Sequence, residues 1–158
     1  MLLYSFAQQN PETAKQNIQK ILATYFNSIF KKDSATFCGL FAMDSVSFYG
    51  VNSPGTYQGL LKQYPKAGFI MKDNHKGFIH FVTSSKKKAE EKYRNVHIWH
   101  DNTEATIFFN YGFWIDGKET NWGMETWQLI INGKEWKIMS ALFSINDPRL
   151  TPDPDERG

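Results

Sequence analysis

The clearest hydrophobic pattern in the chain lies in its last third. Apolar and aromatic side chains alternate with polar ones in three long segments. This alternation predicts three consecutive β-strands, at 104–115, 121–131 and 136–145. An Asp-Gly pair and an Asn-Gly pair separate the segments, and such pairs favour the tight turns of β-hairpins. Because aromatics occur on both faces of these strands, both sides of the sheet are expected to be covered.

The first third of the chain has helical spacing instead. Asn10 and Pro11 suit the start of a helix, and apolar residues then recur every three or four positions as far as Lys32. The other predicted elements are short helices at 35–41 and 56–64, and strands at 45–51, 77–83 and 93–101. The rest of the segment between residues 66 and 92 has no clear pattern.

Helices followed by consecutive antiparallel strands indicate a single α+β domain, predicted here to span 10–146. A sheet of long strands twists and curls, so its concave face is expected to wrap around the first helix. The outer face still carries Phe108 and Trp114, and we expect a second copy of the chain to cover it in a homodimer. The proline-rich tail, 147–158, is expected to be coil, either packed as a strap or disordered.

Composition narrows the class of protein. A chain of 158 residues has the length of one domain, and its net charge of +2 is too small to indicate nucleic-acid binding. Cys38 is the single cysteine, so no intrachain disulfide forms, and we expect it to pack in the core. No apolar run reaches about 18 residues, so no membrane span is predicted.

The beginning of the sequence bears on localisation. Residues 1–7 are short and apolar and end in a small-x-small pattern at Ser5 and Ala7, as in the last part of a signal peptide. This pattern favours a periplasmic or secreted protein cleaved before Gln8. The alternative is that residues 1–9 are simply a frayed start of a cytoplasmic protein.

Three segments resemble one known superfamily. TYFNSIFKKDSATFCGLFAMDSVSFYG (24–50), EATIFFNYGFWIDGK (104–118) and ETWQLIINGKEWKIMSALFS (125–144) are similar to the nuclear transport factor 2-like superfamily. The similarity covers most of 12–146 and implies a cone-shaped α+β fold, shared by ketosteroid isomerases, SnoaL-like polyketide cyclases and scytalone dehydratase. Because this fold has many unrelated activities, the resemblance indicates architecture much more than function.

The comparison with ketosteroid isomerases implies that their catalytic set is mostly absent. Tyr25 matches the tyrosine that hydrogen-bonds the oxyanion in those enzymes. Their general-base aspartate matches Tyr49, and their second aspartate matches Trp127 or Thr126, depending on where a gap lies. A phenol with a pKa of about 10 is a poor base at neutral pH, so the usual isomerase route is not expected.

Strand alternation and the resemblance together predict an aromatic cavity. Glu125, Tyr25 and Tyr49 are the candidate catalytic residues, and Glu125 would have a raised pKa among aromatic rings. The alternative for Glu125 is a structural role, paired with a buried hydroxyl or an arginine. The predicted ligand-binding wall consists of Phe109, Tyr111, Phe113, Trp127, Met139, Ala141 and Phe143. Such walls suit small hydrophobic or aromatic ligands.

No cofactor is expected from the sequence. Its four histidines lie at 75, 80, 97 and 100, and none belongs to a metal-binding motif. Three functions therefore stay open: a small-molecule binding protein, a SnoaL-like isomerase, cyclase or dehydratase that uses Glu125 with Tyr25 or Tyr49, and a dimeric interaction module whose cone is filled by its own side chains.

Overall fold

The computed structural model describes residues 10–157, which form a six-stranded sheet and four α-helices. The helices are α1 (Pro11–Lys31), α2 (Ser34–Gly39), α3 (Pro54–Gln63) and α4 (His75–Ser84). The strands are β1 (Ser47–Asn52), β2 (Ile70–Asp73), β3 (Ala89–His100), β4 (Glu104–Ile115), β5 (Lys118–Asn132) and β6 (Glu135–Ile145). A 3-10 helix, Pro154–Arg157, follows. The segment expected to be a signal peptide lies outside the described residues.

Helix α1 begins where its capping residues predict. The Asn10 side chain accepts a hydrogen bond from the Glu12 backbone N–H at 3.0 Å, and Pro11 occupies the first turn. The helix ends at Lys32, which adopts a left-handed conformation with φ of 57°. One face of α1 is buried against β3, β6 and α2. The apolar residues on this buried face are Ala14, Ile18, Leu22, Tyr25, Phe26 and Ile29.

The sheet has the strand order β2-β1-β6-β5-β4-β3 and remains open at both ends. The three predicted long strands are confirmed as β4, β5 and β6, which pair antiparallel in two hairpins. Gly117 and Gly133 supply the positive φ angles of the two turns, 77° and 69°. Strand β1 runs parallel to β6, so the sheet is mixed rather than purely antiparallel.

The predicted strand at 77–83 is wrong, because this segment belongs to helix α4. Asn74 caps the helix by accepting a hydrogen bond from the Gly77 N–H at 2.8 Å. His75, Ile79 and Val82 then fall at helical spacing and are buried together. Strand β2 is absent from the predicted elements. It is short and exposed at every position, so it has none of the alternation that identifies a strand.

The last part of the C-terminal tail, from residue 151, is a strap on the face of the sheet opposite helix α1. The Trp122 indole N–H donates to the Thr151 carbonyl at 2.7 Å. Arg94 on β3 pairs with Asp153 and with Asp155, both at 2.6 Å, and Asp153 is buried. These contacts tie the tail to β3 and β5. Within residues 10–157, none of the helices has the length and apolar character that a bilayer crossing requires.

Candidate functional site

A cavity of about 710 Å³ lies between the concave face of the sheet and the helices. Its wall is mostly apolar and aromatic, and every described α-helix except α2 contributes to it, as does each of the six strands. The side chains that form its deep part include Tyr25, Phe48, Phe78, Glu91, Tyr111, Phe113, Glu125 and Phe143. The cone is therefore not filled by its own side chains.

Glu125 lies in the wall of this cavity, as predicted. It is on β5, opposite Phe109 on β4 and Phe143 on β6, and its side chain is only 2% exposed. The indole N–H of Trp127 donates to Glu125 Oε1 at 2.5 Å. Burial raises the pKa of Glu125 to about 8, although the hydrogen bond from Trp127 opposes this rise. Both the protonated and the ionised form are therefore accessible near neutral pH.

Glu91 is a second carboxyl in the same wall, and it is not among the residues predicted from the sequence. It lies on β3 opposite Phe113 and is 7% exposed. Burial raises its pKa well above the usual value, and the nearby charge of Glu125 raises it further. The signal that could have found it is the alternation of Ala89, Glu91 and Tyr93, which begins four residues before the predicted strand.

Two phenols complete the polar part of the cavity. Tyr111 donates its hydroxyl to the Ser144 carbonyl at 2.8 Å, which fixes the ring against β6. Tyr25 reaches the cavity from α1, and its ring centroid lies 4.6 Å from that of Trp127. Burial raises the pKa of both tyrosines well above the usual value, and the charges of Glu91 and Glu125 add to this effect. Neither phenol is suited to act as a base at neutral pH.

The structure brings five of the predicted site residues together at the cavity. Tyr25, Tyr111, Phe113, Glu125 and Phe143 all line it. Another three of the predicted residues are buried in the core without lining the cavity: Phe109, Trp127 and Ala141.

The placement of Tyr49 in the cavity is wrong. In β1 the inward positions are those of Phe48 and Gly50, while Tyr49 is 38% exposed on the outer face. Register explains this arrangement: Phe48 lies beside the buried Ala141 of β6, and Tyr49 lies beside the exposed Leu142. Tyr49 is therefore not placed to act on a molecule in the cavity.

The placement of Met139 in the cavity is also wrong. The register between β5 and β6 shifts at this point, because Gln128 pairs with Ser140 while Leu129 pairs with Ile138. Met139 is the extra residue of this bulge and does not line the cavity. The bulge also explains why Ile138 and Ala141, three positions apart, are both buried.

The histidines and the cysteine lie outside this site. His75 is buried and stacks on Phe41 with the ring centroids 4.1 Å apart. Cys38 is half-buried and packs against the core, in agreement with the sequence analysis. Within the described part of the chain, no cluster of three or more metal-ligating side chains could hold a metal ion.

The same arrangement of helices and curled sheet occurs in solved structures. A nuclear transport factor 2-like protein of unknown function from Shewanella baltica has a TM-score of 0.60 at 13% identity, covering 87% of this chain and 98% of its own. A proposed dehydratase of the same fold family from Streptomyces avermitilis has a TM-score of 0.62 at 12% identity, with coverage of 87% and 99%. The chain has the nuclear transport factor 2-like fold.

A third similar structure is a proposed scytalone dehydratase from Novosphingobium aromaticivorans, with a TM-score of 0.58, 13% identity and coverage of 85% of each chain. No protein-family model matches this sequence, and no curated protein sequence matches it. At such low identities the similarity concerns the nuclear transport factor 2-like fold itself, and function has to be argued from the residues of the cavity.

Proposed function

We propose that this protein binds a small, mostly apolar molecule in the cone cavity. The observation that carries the proposal is an open cavity of about 710 Å³ whose aromatic wall contains two buried carboxyls. This volume falls within the usual range for small-molecule sites, and a few polar groups in an apolar wall typically orient the ligand. Glu91 and Glu125 would hold the polar group of the ligand, while the rings would contact its apolar part.

The open cavity disfavours the alternative of an interaction module with a filled cone. The side chains that line the cavity do not fill it, whereas Phe109 and Trp127 elsewhere in the core are fully buried. An apolar concavity of this size favours a binding role, because a ligand that fills it removes the aromatic wall from water.

A cavity-blocking variant tests the proposal. Ala67 lines the cavity and is half-buried, so Ala67→Trp should fill part of it. Ala35, which is exposed on α2, provides the matched control Ala35→Trp. We expect native mass spectrometry of protein from the native host to detect a bound small molecule in the parent and in Ala35→Trp, but not in Ala67→Trp. Equal occupancy in the folded Ala67→Trp variant would place the molecule elsewhere.

A second candidate function is acid–base catalysis, which the pair of buried carboxyls favours. In a dehydration, an ionised carboxyl would remove a proton from carbon while a protonated one donated a proton to the departing hydroxyl, leaving a double bond and water. Glu91 and Glu125 have the raised pKa values that such a division of roles needs. Two similar structures are named as proposed dehydratases, which motivates screening this reaction class first. Tyr25 would orient the substrate in this scheme.

We further propose that the protein forms a homodimer through the outer face of the sheet. A row of neighbouring side chains crosses this face from β4 to β1: Phe108, Thr126, Leu142 and Tyr49. Leu142 is 52% exposed, and Trp99 and Met124 on the same face are exposed as well. The tail covers the part of the face near Arg94 and Trp122, so the partner would contact the remaining part.

A further inference from the structure

The charged side chains that line the cavity are mostly acidic. Glu91 and Glu125 lie in the deep wall, and Asp73, Asp147 and Arg149 also line the cavity. Arg149 is paired with Asp147 at 2.5 Å, so its positive charge is already balanced. Among the cavity-lining residues of the described chain there is no lysine and no histidine. The cavity therefore contains four acidic groups and a single cationic side chain, which is already paired.

Within residues 10–157, the carboxyl of Glu91 has no hydrogen-bond or ion-pair partner. It is more than nine-tenths buried and lines the cavity, yet it makes no hydrogen bond or ion pair with any residue of the described chain. The charged group that acts on it most strongly is Glu125, another carboxyl, which repels it. Leaving a buried carboxyl without a partner costs free energy. A molecule in the cavity is in the position to supply the missing partner.

The remaining wall is also suited to a positive charge. Aromatic rings present a negative face that attracts cations, and this attraction is strongest where water is excluded. The rings that line the cavity are those of Tyr25, Phe48, Phe78, Phe81, Tyr111, Phe113 and Phe143. An ammonium group near the two carboxyls would thus meet carboxylate oxygens on one side and ring faces on the others.

We propose that the cavity receives a hydrophobic organic cation, an amine protonated on an apolar scaffold, whose ammonium group pairs with Glu91 and Glu125. This inference rests on the proposed function and names the chemical class of its ligand. Carboxylates and phosphates cannot pair with the two glutamates as an ammonium group does, and either glutamate repels them once it is ionised. Neutral alcohols of the same shape fill the apolar space but leave the carboxyl pair without a counter-charge.

If the ligand is a cation, its binding should release protons from the two carboxyls. This release can be measured separately from the affinity. Burial raises the pKa of both carboxyls, and the charge of Glu125 raises the pKa of Glu91 further. The other titratable or charged groups that face them are Tyr25, Tyr111, Asp73 and the Asp147–Arg149 pair. A cation favours the ionised form, so its binding expels a proton. Affinity for the amine should therefore rise as the pH approaches the Glu125 pKa of about 8, by up to about tenfold per pH unit for each proton that binding expels.

Three probes of nearly equal size test the inference by isothermal titration calorimetry: naphthylmethylamine, naphthylmethanol and naphthoate. At pH 8 we expect the amine to bind about tenfold more tightly than the alcohol, which is the advantage of one charge-assisted contact. Naphthoate should bind most weakly. Titrations in buffers of different ionisation enthalpy should show proton release with the amine and none with the alcohol.

Matched variants test whether the tighter binding of the amine depends on the two carboxyls. Glu91→Gln and Glu125→Gln keep the size of the side chain and should each remove the preference for the amine while retaining the alcohol. Glu135→Gln, at the exposed start of β6, is the control and should keep the preference for the amine. If the alcohol binds as tightly as the amine in the parent protein, the cation assignment is overturned and the cavity remains a ligand site. If none of the three probes binds, the cation assignment is also overturned, and native mass spectrometry of the parent and Ala67→Trp decides the proposed function separately.

Discussion

Trp127 donates its indole N–H to Glu125 Oε1 at 2.5 Å, from two positions further along the same strand. Residues at this spacing point to the same face of a sheet, so the strand itself aligns donor and acceptor. Trp127 has no exposed surface, and it supports Glu125 from the core. Trp127, predicted to be part of the ligand-binding wall, thus modulates the pKa of Glu125 and does not line the cavity itself.

Trp127→Phe should raise the pKa of Glu125 above about 8, because the variant removes the hydrogen bond that favours the ionised form. Carbon-detected NMR of the glutamate carboxyl as a function of pH measures this value directly. Trp136→Phe, a change of another buried tryptophan on β6, controls for loss of packing. An unchanged or lower pKa in Trp127→Phe would contradict the role assigned to the indole.

The raised pKa of Glu125 also predicts how stability depends on pH. The folded state holds the proton up to about pH 8, whereas the unfolded chain releases it near the ordinary value of 4.5. The folded state thus binds more protons in this interval, and the free energy of unfolding should fall as pH rises through it, by at most about 1.4 kcal/mol per unit for this one group.

Glu125→Gln should flatten that dependence, because the amide has the same shape, can still accept from Trp127 and does not ionise. Urea unfolding at a series of pH values between 5 and 8 measures the slope. The variant should be more stable than the parent at pH 8 and closer to it at pH 5. Equal slopes in the parent and in Glu125→Gln would show that this carboxyl is already ionised in the folded state at pH 5.

The ion pair between Arg94 and Asp153 should be the main attachment of the tail. Asp153 is buried and accepts two hydrogen bonds from one nitrogen of Arg94, whereas the side chain of Asp155 is 45% exposed. Asp153→Asn leaves Arg94 without its buried counter-charge and should lower the free energy of unfolding by about 1–3 kcal/mol. Asp155→Asn should cost less than about 1 kcal/mol. Urea unfolding compares the two, and hydrogen exchange should show faster exchange in the tail for Asp153→Asn only.

The parts of the site that sequence could predict are those where alternation runs without interruption. The inward positions of Tyr111, Phe113 and Glu125 could be predicted from the alternation in β4 and β5. These strands form one long hairpin, so their pairing determines which residues face inward. The prediction fails at Met139 because a bulge changes the phase of β6, and no residue type there announces the bulge. It fails at Tyr49 because β1 has adjacent aromatics, and only pairing with β6 decides which of them faces inward.

The polar composition of its segment explains why Glu91 is not predicted from the sequence. Glu91 follows a run of lysines and another glutamate, which is typical of a solvated segment, yet it lies where β3 faces α1 and the cavity. Helix α4 resembles a strand for the opposite reason, because its sequence is rich in aromatic and β-branched residues. In both segments the surroundings override the local preference of the chain.

The outer face provides the final prediction. If two copies pair there, Leu142→Lys places a charge in the middle of the interface and should convert the dimer to a monomer, because an unpaired charge is costly to bury. Tyr64 is similarly exposed but lies just after α3, away from the outer face, so Tyr64→Lys is the matched control and should remain dimeric. Light scattering at micromolar concentration measures both masses, and circular dichroism checks that each variant is folded. A monomeric parent under these conditions would remove the proposed dimer, and the exposed row from Phe108 to Tyr49 would then need another partner.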